Sequence, residues 1–246
     1  MMIPDHLLTP EMALAVTVAA AAGLVRGFAG FGSGLMMVPV LALVFGPKAA
    51  VPIVVMLEII VSAHLLPKAR ADVEWRFVGI MAAGAFVTMP LGAFFLAQLE
   101  PEMMTRLIAV NVLVAVVILA SGWRYHGPRP AWLTACVGAV SGLFLAATTL
   151  GIPPVLIYMV AAGDRSATVR ANLIAYFPLT MVFALAVQAY AGVADGQAVS
   201  RAALMLIPFV AGSWIGARLF RPDREVLYRR VVLGLLFAVG LVGLVG

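Results

Sequence analysis

The sequence predicts an all-α polytopic membrane protein, and its composition and hydrophobic pattern carry that prediction. Of the 246 residues, 64% are hydrophobic and 11% are charged, and the mean hydropathy is +1.10. A soluble domain has about 25% charged residues, so this chain lacks the polar side chains to cover a surface in water. Its hydrophobic residues form long continuous runs, which predicts spanning helices and excludes the alternating pattern of a membrane barrel.

Ten apolar segments follow one another along the chain, at residues 11–30, 33–45, 49–66, 76–98, 104–121, 131–147, 153–162, 166–190, 199–219 and 229–246. A spanning helix needs about 20 residues, so segments 33–45 and 153–162 are too short to cross alone. Each follows a break rich in Gly or Thr, with Pro39, Pro153 and Pro154 as the expected structural breaks. The two breaks read Gly27-Phe28-Ala29-Gly30-Phe31-Gly32-Ser33-Gly34 and Ala146-Ala147-Thr148-Thr149-Leu150-Gly151-Ile152-Pro153-Pro154.

The two breaks resemble copies of one sequence. A shift of 115 residues aligns Gly27 with Gly142, and it aligns Pro39-Val40-Leu41 with Pro154-Val155-Leu156. Farther on, Leu91-Gly92-Ala93 resembles Ile215-Gly216-Ala217 at a slightly larger offset. We therefore expect one transmembrane domain over 1–246, made of two repeats at about 11–123 and 124–246.

The basic residues predict how the segments thread through the membrane. If each broken segment is a re-entrant hairpin, the Lys and Arg of the loops divide 12 to 3, and if both cross fully they divide 9 to 6. The positive-inside rule favours the first arrangement and makes the richer side cytoplasmic. The same count results if only the first segment crosses, so the repeat is the reason for treating both breaks alike. The richer side holds Lys68, Arg70, Arg76, Arg124, Arg129, Arg165, Arg170, Arg218, Arg221, Arg224, Arg229 and Arg230.

Each repeat then consists of one hairpin and three transmembrane helices. Because three is odd, the second repeat is inverted relative to the first. We therefore expect a protein of the inner membrane whose two termini both face the periplasm. Inverted repeats with discontinuous helices are typical of secondary transporters, which bind substrate near the midplane.

The breaks are the expected substrate site. A helix that begins inside the membrane presents free N–H groups and a positive dipole end, which attract anions. Ser33, Thr148 and Thr149 are expected at such helix starts, as N-caps or as ligands. The alternative is that the glycines only permit tight helix packing. The candidate residues are Gly27, Gly30, Gly32, Ser33, Gly34, Thr148, Thr149 and Gly151.

Two charged residues lie deep in apolar segments. Arg26 directly precedes the first break, and its planar guanidinium suits the oxygens of sulfonate, sulfite or carboxylate groups. The alternative for Arg26 is a structural ion pair with Glu58. Intramembrane carboxylates commonly relay protons, so Glu58 is the candidate for proton coupling, against the alternative of a hydrogen-bonded structural residue.

In the second half, Asn172 and Tyr176 are four residues apart and share one helix face. They occupy roughly the place that Glu58 holds in the first half. We expect this face to line the substrate cavity.

The two motifs resemble those of a known family. The first copy reads Gly-Phe-x-Gly-x-Gly-x-Gly leading to Pro-Val-Leu, and the second reads Ser-Gly-(x)n-Pro-Pro-Val-Leu. Together they are similar to the TauE/SafE family of probable sulfite and organosulfonate exporters. The second motif departs from the family at Ala146-Ala147-Thr148-Thr149, where many members are richer in Gly. The resemblance implies a transporter of small, often sulfur-containing anions in the cytoplasmic membrane.

The sequence thus predicts a secondary transporter, an exporter of small anions that works by alternating access at a midplane site. A passive anion channel is the first alternative, and an intramembrane enzyme is the second. We expect no cofactor and no metal, since the sequence has no His/Cys/carboxylate cluster, and no nucleic acid, since the basic residues lie in short loops. The expected partners are the substrate anion, the lipid bilayer, protons and a second copy of the chain in a homodimer.

Overall fold

The computed structural model describes residues 9–29, 32–63, 66, 70–121, 127, 129–151, 154–155, 158–159 and 166–219. Every regular element in this part of the chain is an α-helix, which confirms the all-α class. The helices are α1 (Pro10–Ala29), α2 (Ser33–Phe45), α3 (Pro47–Ala63), α4 (Trp75–Gln98), α5 (Pro101–Ser121), α6 (Ala131–Thr148), α7 (Ser166–Tyr190) and α8 (Gly196–Leu219).

The predicted apolar segments and the observed helices agree closely. Segments 33–45 and 166–190 match their helices at both ends, and the other described segments differ by a few residues. Segment 153–162 is described only at four helical residues, and segment 229–246 lies outside the described residues. Five helices, α1, α4, α6, α7 and α8, are long and apolar enough to cross a membrane. The protein is therefore a multi-pass membrane protein.

Local sequence explains where several helices begin. Pro10, Pro47 and Pro101 are the first residues of α1, α3 and α5, a position where the missing N–H of proline costs nothing. Asp195 caps α8, because its Oδ1 accepts a hydrogen bond from Ala198 N at 2.7 Å. Proline inside a helix does not end it here, since α2 continues through Pro39.

The chain divides into two compact units. The first unit comprises Met1–Leu57, Glu100–Val116 and Ala194–Gly246, and within it α1 packs along α8 and against α2. The second unit comprises Glu58–Leu99 and Val117–Val193, and within it α4 packs along α6 while both contact α7.

In the first unit, small residues four positions apart bring the backbones of α1 and α8 together. A methyl group added to Gly23 or Gly27 would collide with the carbonyl oxygen of Phe209 or Ser213. In the same way, Gly212 and Gly216 lie against the carbonyls of Ala20 and Leu24. Such spacing is typical of membrane helices, where close backbone approach takes the place of a hydrophobic driving force.

In the second unit, α4 and α6 repeat this packing residue for residue. Gly138 and Gly142 meet the carbonyls of Met81 and Ala85, and Gly84 meets that of Ala135. Where Gly216 would have its counterpart, Thr88 donates a hydrogen bond to Ala139 O at 2.6 Å.

The equivalence has a fixed register. It pairs Gly23 with Gly138 and Gly27 with Gly142, the 115-residue shift of the sequence motif. On the partner helices it pairs Gly84 with Gly212. This offset is about one helical turn larger than the one at which the sequence aligns Gly92 with Gly216. Each of the four glycine contacts of the first unit therefore has a counterpart in the second. The repeat boundary near residue 123 and the inversion of the second repeat stay predictions.

Large apolar side chains cover the outside of the helices. Val87 of α4 is 80% exposed and Ile207 of α8 is 77% exposed, and Trp132 at the start of α6 is 67% exposed. These side chains are the lipid-facing surface that the composition predicts, with an aromatic ring at a helix end where interfacial tryptophans are usual.

Candidate functional site

The first break places the start of α2 in a buried position. Gly32 is the N-cap residue, with φ 97° in the left-handed region that glycine adopts at little cost. Ser33 is fully buried and Leu35 is 2% exposed. The first hydrogen bond of the helix runs from Met36 N to Gly32 O at 3.2 Å. The amide groups that precede Met36 therefore have no carbonyl partner within the helix, and they carry the positive end of its dipole.

This geometry corrects the N-cap prediction for Ser33. Ser33 is the first residue inside α2, and the cap position belongs to Gly32, which forms no side-chain cap. Gly34 is buried beside it. Gly30 lies outside the described residues.

Arg26 and Gly27 lie near the end of α1. Arg26 is half-buried in the last turn, where a positive charge is favourable to the negative end of the helix dipole. Gly27 lies against Ser213 O of α8, so its structural role is the close helix packing that the sequence offered as the alternative.

At the second break the two threonines lie at the end of a helix. Thr148 is the last residue of α6, and Thr149 is its C-cap. The prediction that these threonines start a helix as N-caps is therefore wrong. The physical reason is that Thr148 satisfies its hydroxyl within α6, donating to Phe144 O at 2.7 Å, while it accepts a bond from Leu150 N at 3.3 Å.

Thr149 combines two unusual features. Its φ of 60° is left-handed, which is strained for a β-branched residue. Its side chain is 2% exposed, and its hydroxyl has no hydrogen-bond partner among the described residues. A buried hydroxyl without a partner costs about 1–3 kcal/mol. A residue that is both strained and unsatisfied is a candidate for ligand contact.

A chain of hydrogen bonds holds the backbone after the break. Tyr176 of α7 donates to Ser141 Oγ at 3.0 Å, and Ser141 donates to Gly151 O at 2.8 Å. Gly151 itself approaches α6 so closely that a methyl group would collide with Ser141 O. Tyr176 and Gly151 thus act first as supports of the break.

Asn172 lies on the same face of α7 as Tyr176 and is fully buried. Its Oδ1 accepts from Glu74 N at 2.8 Å, and its Nδ2 donates to Glu74 Oε2 at 3.0 Å. Because Glu74 is the N-cap residue of α4, Asn172 ties α7 to the start of α4. That role accounts for its polar side chain without a substrate.

Gln188 lies near the end of α7 and is fully buried. Its Nε2 donates to Ala146 O at 2.8 Å, in the last turn of α6. Its Oε1 has no hydrogen-bond partner in the described part of the chain.

Glu58 is buried in α3, at 2% exposure, and Ser62 one turn later is 4% exposed. This carboxyl group is therefore buried in the protein, while its depth in the membrane and its role in coupling stay predictions. Of the two remaining expected breaks, Pro154 is helical and half-buried, and Pro153 lies outside the described residues. The residues that the structure describes contain no group of His, Cys, Asp or Glu able to hold a metal ion.

Sequence reasoning missed three polar residues of the second unit, Glu74, Ser141 and Gln188. Each is a single polar residue at or near a helix end or beside a glycine. Such a position is typical of a residue at the membrane interface or in a helix-packing contact, and does not indicate a binding site. For Gln188 the signal available was an amide in the stretch 177–189, where Thr180 is the one other polar side chain.

Comparisons with known proteins agree with this architecture. A curated protein of Cupriavidus necator named "Probable sulfite/organosulfonate exporter TauE" is 28% identical over 221 residues, which covers 86% of this chain and 85% of that protein. No solved structure matches the chain significantly. The model of the family described as "Sulfite exporter TauE/SafE" matches residues 15–242. The match spans nearly the whole chain, so this protein belongs to the TauE/SafE family.

Proposed function

We propose that the protein is a secondary transporter that exports small anions, of the sulfite and organosulfonate class, across the cytoplasmic membrane by alternating access. Family membership and the name of the Cupriavidus necator relative support the substrate class. They also favour transport over catalysis.

The observation that carries the proposal is the buried start of α2. Gly32 is the N-cap residue and forms no side-chain cap. The backbone N–H groups that follow it, before Met36, have no carbonyl partner within the helix. An anion is the ligand that a helix N-terminus in an apolar setting binds best. A charge at the centre of a bilayer costs roughly 2.5–3.5 kcal/mol on insertion scales. A substrate anion that crosses the membrane therefore needs compensating dipoles from the protein.

Arg26 is the proposed charged contact. A guanidinium offers paired N–H donors to the oxygens of a sulfonate or sulfite group, and this geometry adds specificity to charge attraction. The glycines and Ser33 of the first break would provide the remaining contacts to the anion.

Binding is tested on the purified protein by thermal unfolding with sulfite, sulfate, sulfoacetate, taurine and small carboxylates. A ligand that binds the native state raises its apparent stability. The expected result is a rise for sulfite or an organosulfonate that is lost in Arg26→Ala and partly kept in Arg26→Lys. Arg106→Ala is the matched control, because Arg106 is exposed on α5. A ligand shift of the same size in Arg26→Ala would remove Arg26 from the site.

Transport is tested in liposomes at fixed membrane voltage. A carrier shows saturable flux and counter-transport, whereas a passive channel shows neither. Flux that stays linear with substrate concentration would favour the channel.

A further inference from the structure

The end of α6 presents backbone carbonyl groups that the helix itself does not bond. The last four carbonyl groups of a helix have no partner within it, and here they belong to Leu145, Ala146, Ala147 and Thr148. Thr149 N donates to Leu145 O at 2.9 Å, and Gln188 Nε2 donates to Ala146 O at 2.8 Å. The carbonyls of Ala147 and Thr148 follow, in the last two residues of the helix.

Two buried side-chain oxygens belong to residues at this end of the helix. Thr149 follows directly as the C-cap, and Gln188 is bonded to the same turn. The orientation of the Gln188 amide is fixed by its partner, because a carbonyl oxygen only accepts and so must face the NH₂ group. Oε1 is therefore the atom left over, and both it and the Thr149 hydroxyl oxygen are buried without a hydrogen-bond partner in the described residues.

The chemistry of this cluster selects a cation. The carbonyl oxygens and Gln188 Oε1 only accept, the Thr149 hydroxyl can accept as well as donate, and the C-terminal end of a helix carries partial negative charge. An anion is disfavoured at such a helix end. The four oxygens are neutral, whereas sites for divalent ions usually include carboxylates. Half-helix ends and unwound carbonyls are the groups with which transporters hold Na⁺.

We propose that the carbonyls of Ala147 and Thr148, the Thr149 hydroxyl and Gln188 Oε1 form a site for a sodium ion at the end of α6. Binding of sodium is independent of the proposed transport function. Its use as a coupling ion rests on that function, with sodium entry driving anion exit.

Binding is measured first, on the purified full-length protein without substrate. Thermal unfolding is followed in NaCl and in choline chloride at equal ionic strength, and saturation is checked with radioactive sodium. The expected result is a saturable rise in melting temperature with Na⁺ that choline does not give.

Thr149→Val is the decisive variant, because valine keeps the shape and β-branching of threonine. It should weaken sodium binding roughly tenfold. In choline it should melt at a higher temperature than the wild type, since the substitution removes a buried hydroxyl that lacks a partner. Thr180→Val is the matched control, because Thr180 is buried in α7 and its hydroxyl donates to Tyr176 O at 2.8 Å. It should leave the sodium affinity unchanged.

Gln188→Met removes a second ligand and should weaken binding by a similar factor. If this variant fails to fold because Ala146 O loses its donor, Thr149→Val still decides the question. A wild type that Na⁺ stabilises no more than choline would overturn the proposal, as would unaltered sodium affinity in Thr149→Val. Stabilisation by taurine alone, lost in Thr149→Val, would also overturn it and assign the cluster to a substrate ammonium group.

The anion flux measurement separates this site from the proposed function. Sodium binding without anion transport would contradict the function and leave the site standing. Anion transport without sodium binding would contradict the sodium site and leave the proposed function standing.

Discussion

Ser141 connects two elements of the second unit through one oxygen atom, which accepts a hydrogen bond from Tyr176 at 3.0 Å and donates to Gly151 O at 2.8 Å. The serine is fully buried. The position of the backbone after the second break thus depends on a side chain of the preceding helix.

Ser141→Ala should lower the free energy of unfolding by about 1–3 kcal/mol, because it leaves the Tyr176 hydroxyl and Gly151 O buried without partners. Tyr176→Phe should cost less, since Ser141 can still donate to Gly151. Melting temperatures in detergent check the order. Ser200→Ala is the control, as Ser200 donates only within α8 to Gln197 O. Equal melting temperatures for Ser141→Ala and this control would contradict the supporting role.

Gly84→Ala should destabilise the protein by about 1–3 kcal/mol, because the new methyl group has to push α6 away from α4. Gly79→Ala, in the same helix, provides the comparison. A methyl group there meets nothing within 4 Å, so the substitution should raise stability by about 0.4–1 kcal/mol. Both variants are compared by thermal unfolding. A neutral Gly84→Ala would mean that the helices are not in close contact in the membrane.

Glu58→Gln should abolish the part of anion export that an inward proton gradient drives, because glutamine cannot carry a proton. The flux driven by voltage alone should remain. Liposome flux at fixed voltage, with and without a pH gradient, separates the two components. Glu102→Gln is the matched control, since Glu102 is exposed in the first turn of α5. Full pH-driven flux in Glu58→Gln would eliminate Glu58 as the coupling residue.

The threading of the second half is testable in the loop between α5 and α6. A single cysteine at Gly127, in a Cys136→Ser background, should react with a membrane-impermeant maleimide only after the cells are permeabilised. The double-hairpin arrangement places this loop in the cytoplasm, and the eight-pass arrangement places it outside. Labelling in intact cells would therefore exclude the double-hairpin arrangement.

Much of the architecture was predictable because membrane insertion leaves a strong pattern. A run of apolar residues at least a membrane thickness long must form a helix to satisfy its backbone, so the bounds of α4 and α7 follow closely from hydrophobicity. The shift of 115 residues also predicted which glycines of α1 and α6 occupy equivalent contacts.

The place of the two threonines within the second break was not predictable in this way. A threonine beside a break can cap the following helix or bond back to a carbonyl of the preceding one, and the residue type suits both. Only the bond from Thr148 to Phe144 O shows which applies. Under the 115-residue shift Thr148 corresponds to Ser33, yet one ends a helix and the other begins one. Copies of a sequence can therefore place opposite dipole ends at matching positions.

The partners of the packed helices have a consequence for biosynthesis. α1 comes from the first half of the chain and packs along α8 from the second, while α6 packs along α4. During synthesis α1 enters the membrane long before α8 leaves the ribosome, and until then its glycines face lipid or a temporary neighbour. Neither half can complete its own packing alone. Two half-chains produced separately would each be unfinished, and would need to find one another before either could be stable.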